Sequence, residues 1–197
     1  MTPRSRAPRG ALPVRLDPGF RGEQWIVERL EATRSILRDH FALQSGQHAE
    51  CFLRFRAFCT DRQAVERLGA LFVDNLALAE GCRPMVLCPE SAGYDLGRSI
   101  ATHLGGRPLV AQVDRDRRPT ARLLEGRIEP GRPVIVVNDV LTTGRSVRVL
   151  MEMAHDRSGV APQLAVFARQ AGVTASTAPD LSGIRVVAAV ETTWPMW

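Results

Sequence analysis

The chain has 197 residues, 45% of them hydrophobic, and carries a net charge of +5 with a pI near 9.8. That length and apolar content suit one domain with a full core, and the longest aliphatic runs, such as residues 134–137, are far too short to span a bilayer. Every basic residue is arginine, which excludes lysine-dependent motifs such as the P-loop. Residues 1–22 hold five arginines against one acid, Asp17, so the excess charge belongs to a tail rather than to a face. Neither a membrane nor a nucleic acid is the expected partner.

Residues 1–20, rich in Arg and Pro, read as a disordered or loosely attached extension, followed by a single domain over 21–197. The N-terminus lacks the apolar stretch of a secretory signal, so a cytoplasmic location is expected. Over residues 23–39 the spacing of Ile26, Val27, Leu30 and Leu37 predicts a helix. Short alternating pieces at 41–43 and 51–58 predict a small β-element. Residues 62–78 predict a second helix, with Val65, Leu68, Phe72 and Leu76 on one side. A buried strand at 85–88 leads through a loop at 89–93 into a helix at 94–104. A strand at 108–113 precedes a charged stretch, 114–122. The strongest strand, 133–137, runs into a helix from Arg145 that carries Val147, Leu150, Met151 and Ala154 on one face. Strands at 163–167 and 184–190 complete the series.

This alternation predicts an α/β fold with a mainly parallel central sheet flanked by helices. Ligands of such sheets sit beyond the carboxyl ends of the strands, here at loops 89–93, 114–122 and 138–146. The four cysteines form no CxxC pair and have no clustered histidines, so reduced thiols are expected rather than a zinc site or a disulfide framework.

Chemistry concentrates in residues 134–146, where four aliphatic residues run into Asn138 and Asp139. Thr142, Thr143 and Gly144 follow, then a helix start with Arg145 and Ser146. Small hydroxyl residues and a glycine before a helix N-terminus make a phosphate cradle: backbone N–H groups point outward and the helix dipole favours an anion. The competing reading is an ordinary turn with Thr143 or Ser146 as the helix cap. No GxGxxG, GxSxG or HExxH motif accompanies it.

This segment resembles the phosphoribosyl-pyrophosphate signature of type I phosphoribosyltransferases. Three other segments resemble the orotate branch: Phe41-Ala42-Leu43-Gln44-Ser45-Gly46 with the strand 51–56 after it, Cys88-Pro89-Glu90-Ser91-Ala92-Gly93-Tyr94, and Arg169-Gln170-Ala171-Gly172. The resemblance spans roughly residues 23–190 and implies a small N-terminal hood over the sheet. It also implies a glycosyltransferase of pyrimidine biosynthesis that moves phosphoribosyl from its pyrophosphate donor to orotate or a related base. Mg²⁺ would ride on the donor, and the enzyme would be a homodimer. On the matching positions, Thr142, Thr143, Gly144 and Ser146, with the backbone of Arg145, would hold the 5′-phosphate. Asp139 would bond the ribose hydroxyls near the developing positive charge, Ser91, Ala92 and Gly93 would line the pyrophosphate, and Arg169 would pair with the carboxylate of the base.

Departures from the pattern qualify this expectation. Asn138 stands where the signature has its first acid. Orotate enzymes close a mobile loop with Lys and His over the pyrophosphate, often onto the partner subunit. Here the corresponding stretch offers only arginines, among them Arg115 and Arg117. Gln44 and Cys51 replace basic and aromatic residues near the base. A non-catalytic regulator that binds the same donor is therefore the alternative.

Overall fold

The computed structural model describes residues 13–43, 46–91, 93–172, 181 and 183–195. The elements in chain order are β1 (Val14–Leu16), α1 (Trp25–Ala32), β2 (Ile36–Ala42), β3 (His48–Leu53), α2 (Phe55–Phe58), α3 (Arg62–Asn75), β4 (Met85–Pro89) and α4 (Tyr94–His103). They continue with β5 (Leu109–Val113), β6 (Pro119–Glu125), β7 (Val134–Leu141), α5 (Arg145–Ser158), β8 (Gln163–Gln170) and β9 (Val186–Thr192).

Seven of the described strands form one sheet in the order β1-β9-β8-β7-β4-β5-β6. The five inner strands are parallel, and the two edge strands, β1 and β6, run antiparallel to their neighbours. Alternation along the strands divides the core into two layers. In β7, Ile135 and Val137 face the layer that contains α1, α3 and α4, whereas Val134 and Val136 face the layer of α5. Burying Val147, Leu150 and Met151 of α5 contributes roughly 1.5–3 kcal/mol each. The β2–β3 hairpin forms the predicted hood, with Ala49, Cys51 and Leu53 turned into the first layer.

Several sequence expectations need correction. Residues 13–20 are part of the domain, because β1 pairs with β9 and both Asp17 and Phe20 are buried. Residues 1–12 lie outside the described residues. The helix expected over 23–39 ends at Ala32, where Thr33 caps it and Arg34 takes a left-handed φ of 49°; Leu37 belongs to β2. The strand expected over 51–58 stops at Leu53, and 55–58 turn helical, which places Phe55 and Phe58 against Phe167. The charged stretch 114–122 is a hairpin rather than an open loop. Asp114 Oδ1 accepts from the N–H groups of Asp116 and Arg118, and the turn leads directly into β6. Among the described residues no helix is long and apolar enough to cross a membrane.

Candidate active site

Strand β4 leads through α4 on one face to β5, whereas β7 leads through α5 on the other face to β8. The chain therefore reverses its winding between the adjacent strands β4 and β7, and a crevice opens beyond their carboxyl ends. Strand β7 also outruns its neighbour: its pairing with β4 ends at Val136, while its pairing with β8 continues to Leu141. Asn138 and Asp139 thus lie within a strand, not in a loop, and are held at the crevice by a rigid ladder.

Both helices that start at this crevice begin in the same unusual way. Gly93 and Gly144 are their N-cap residues, with φ of 76° and 82°, and neither helix has a side-chain cap. Helix α3, away from the crevice, is capped in the ordinary manner by Asp61, whose side chain accepts from the N–H groups of Gln63 and Ala64. The reading of Thr143 or Ser146 as a cap for α5 is therefore wrong. Both helices start at the carboxyl edge of the sheet, after the adjacent strands β4 and β7, and their positive dipole ends and first turns without a side-chain cap suit anionic groups.

Gly93 has a second task. A Cβ built on it would lie 2.7 Å from Asn138 Cα and 2.8 Å from Asn138 C, so the loop after β4 touches the backbone of β7. Gly93→Ala adds the left-handed backbone cost, about 1–2 kcal/mol, to that backbone clash. Urea denaturation should show at least this loss; an unchanged midpoint would mean that the loop does not pack on β7.

A cavity of about 430 Å³ occupies the crevice, walled by residues of the loop after β4 (Glu90, Ser91, Gly93), by Tyr94 and Asp95 of α4, and by Asp139 of β7. Phe55 and Arg56 of α2, Val113 of β5 and Arg117 of the hairpin complete the wall. Of the residues expected from the sequence, Ser91, Gly93, Arg117 and Asp139 are thus brought together. Thr142, Thr143, Gly144, Arg145 and Ser146 form the turn just past β7 and do not line this cavity. Arg115 is exposed on the hairpin and also stays out of the wall. Ala92 and Gln44 lie outside the described residues.

Asp139 accepts a 2.7 Å hydrogen bond from its neighbour's N–H at Val140. Burial pushes its carboxyl pKa above the ordinary value, against the lowering effect of that bond. Asn138 is buried, and its Oδ1 has no hydrogen-bond partner among the described residues. Such an orphan acceptor costs about 1–3 kcal/mol and marks a place where a ligand can supply the donor.

Arg169 has acidic neighbours that the sequence did not suggest. It sits at the end of β8 opposite Leu141, but its Nε donates to Asp17 Oδ2, and Glu191 Oε1 lies 3.8 Å from its Nη2. Glu191 in turn accepts from Arg15 at 2.6 Å. Two cations and two carboxylates neutralise one another, and these contacts tie the ends of β8 and β9 to β1 and the residue after it. The sequence suggested nothing of this, because Asp17 lay in a segment read as a loose tail. It also missed Arg56 and Asp95; residues 51–58 were expected to be strand, which hid that Arg56 turns toward the cavity on a short helix.

No family model matches the chain. The orotate phosphoribosyltransferase of Thermus thermophilus is 34% identical over 140 residues, covering 68% of this chain and 72% of that one. The crystal structure of orotate phosphoribosyltransferase from Aeropyrum pernix shares the fold, with a TM-score of 0.63, 19% identity, and coverage of 82% of this chain and 90% of that chain. That of Mycobacterium tuberculosis H37Rv, solved in complex with 5-phospho-alpha-D-ribosyl 1-diphosphate, matches with a TM-score of 0.57, 20% identity, and coverage of 85% and 89% respectively. With β4, β7 and their glycine-capped helices arranged as described, and at that identity and coverage, the chain belongs to the orotate phosphoribosyltransferase family.

Proposed function

We propose that this chain transfers phosphoribosyl from 5-phosphoribosyl-1-pyrophosphate to orotate, a step of pyrimidine nucleotide synthesis. A ring nitrogen of the base bonds to the anomeric carbon and loses its proton, the bond from that carbon to the pyrophosphate oxygen breaks, and pyrophosphate leaves with the electron pair and can take up that proton. The observation that carries this reading is the pair of uncapped, glycine-started helices at the reversal of winding, with Asp139 between them.

The turn from Thr142 to Ser146 holds the 5′-phosphate at the start of α5, through main-chain N–H groups and short hydroxyls. Asp139 and the orphan Oδ1 of Asn138 take the ribose hydroxyls. As the pyrophosphate leaves, positive charge grows on the sugar, and the fixed carboxylate of Asp139 stabilises it. Ser91 and Gly93 meet the pyrophosphate at the start of α4.

Mg²⁺ suits this wall, since a hard cation takes oxygen ligands and Glu90, Asp95 and Asp139 border the cavity. Among the described residues no three acid, histidine or cysteine side chains converge on a metal position. When bound with the donor, the ion would be met by the carboxylates of this wall, Asp139 among them, and would supply charge neutralisation on the pyrophosphate. The four cysteines are free, which suits a reducing cytoplasm. A homodimer follows the resemblance. The regulator alternative finds no support in the relatives, which bear the name of the enzyme.

The test supplies donor, Mg²⁺ and a panel of bases, and follows pyrophosphate. Release with orotate, and not without a base, is the expected result. Donor binding with no release from any base would overturn the proposal.

A further inference from the structure

Glu90 is the first residue after β4, and its carboxylate stands in the wall of a cavity that is to receive an anion. A negative side chain in that place repels the ligand, so its presence calls for a second task. The hydrogen bonds around it supply one.

Strand β4 pairs with β5 as far as Pro89 opposite Ala111. One more main-chain bond follows, in which Glu90 N–H donates to Ala111 O at 3.0 Å. In a parallel ladder a residue that donates in this way also accepts, through its own carbonyl, from the N–H two positions further along the neighbour. For Glu90 that donor is Val113. The bond is present at 2.9 Å, but its acceptor is Glu90 Oε1. The side chain stands in for the residue's own carbonyl, so the main chain leaves the ladder one peptide early. It turns toward β7, where Gly93 lies against the backbone of Asn138. On the other flank of β5, Asp114 N–H donates to Arg118 O within the hairpin. Successive N–H groups of a strand alternate in direction, so that of Val113 points back to β4, where only the Glu90 side chain meets it.

We infer that Glu90 is a positioning residue: its side chain completes the β4–β5 ladder in place of its own carbonyl, and so sets the loop that carries Ser91 and Gly93 where pyrophosphate is bound. The role rests on the proposed reaction and deepens it. The loop is then fixed at both ends, by the Glu90 side chain on β5 and by the close approach of Gly93 to β7. Without the side-chain acceptor, the Val113 N–H is left to draw the Glu90 carbonyl back into the ladder, and the peptide before Ser91 rotates away from the crevice. Glutamine reaches as far as glutamate and also accepts a hydrogen bond, whereas alanine does neither. The two substitutions therefore separate an acceptor from a charge.

The test compares Glu90→Ala and Glu90→Gln with the unmodified full chain. Calorimetry measures binding of inorganic pyrophosphate with Mg²⁺, NMR follows hydrogen exchange at the Val113 amide, and steady-state rates with orotate give kcat and the donor KM. Glu90→Ala should weaken pyrophosphate binding about tenfold, raise the donor KM more than it lowers kcat, and speed exchange at Val113. Glu90→Gln should recover most of the affinity together with slow exchange. Affinity that stays weak in Glu90→Gln would mean that the carboxylate acts through its charge, and would overturn the positioning role. Unchanged affinity in Glu90→Ala would overturn it too, as would an unmodified chain that binds no pyrophosphate. The expected binding pattern, with no turnover of any base by the unmodified chain, would leave Glu90 in its role and remove the reaction.

Discussion

Asp139→Asn should lower kcat roughly 10²–10³-fold while weakening donor binding far less, because removing a fixed group aimed at developing charge acts mainly on the transition state. The amide can still accept from a ribose hydroxyl, so ground-state binding keeps one of its bonds. What disappears is the negative charge, held at the end of β7 in a position that burial makes unfavourable for an ion. Two pH effects follow. In the unmodified enzyme the acidic limb of the rate profile should lie above the pH at which an ordinary aspartate protonates, and the variant should lack that limb.

Stability should move the other way. A carboxyl whose folded pKa lies above its unfolded value favours the folded state most when protonated, and that contribution fades as pH rises through the folded pKa. At neutral pH the wild type therefore bears the strain of an ionised, poorly solvated group. The Asn variant should melt higher there, and the two should converge below pH 3.8, the ordinary value for the group. Kinetics alongside melting curves from pH 3 to 8 check both parts. A variant with wild-type kcat would remove Asp139 from the chemistry.

Asp17→Ala is expected to cost about 2–3 kcal/mol. Removing one member of a buried pair usually costs about 3–5 kcal/mol, and a discount applies because Arg169 is 21% exposed and keeps Glu191 nearby. For a chain of this size the loss corresponds to a fall in Tm of about 5–10 °C. The substitution also removes the acceptor for the Gly19 N–H, which Asp17 Oδ1 receives at 2.9 Å. The double variant Asp17→Ala/Arg169→Ala should be less damaged than the two single effects added together, since the two side chains share one ion pair. Strict additivity would show that the two residues are not coupled, and the guanidinium would then be free to meet a substrate.

The parallel core and the phosphate turn were legible in the sequence because each is a local pattern. Val134–Val137 with the turn after it, and the i, i+3, i+4 face of Val147, Leu150 and Met151, declare themselves within a dozen residues. What escaped depends on distant partners. Val14–Leu16 is too short to read as a strand, and only β9 makes it one. The stretch 114–122 looked like a solvated loop because its order comes from a carboxylate folding back on its own backbone. The ion pair of Arg169 was not legible because Asp17 lies 152 residues earlier. Arg56 went unassigned for a simpler reason: Phe55 and Phe58 gain more by packing on Phe167 than by continuing β3, and the resulting helical turn redirects the arginine.

The edge strand β1 bears on how the chain assembles. Arg15 meets Glu191 across 176 positions, close to the whole length of the polypeptide. Pairing β1 with β9 closes a long loop, and loop-closure entropy makes such a pairing slow to form. Without β9 the outer flank of β8 is an unpaired strand edge, so a chain truncated before Val186 leaves that edge available for aggregation.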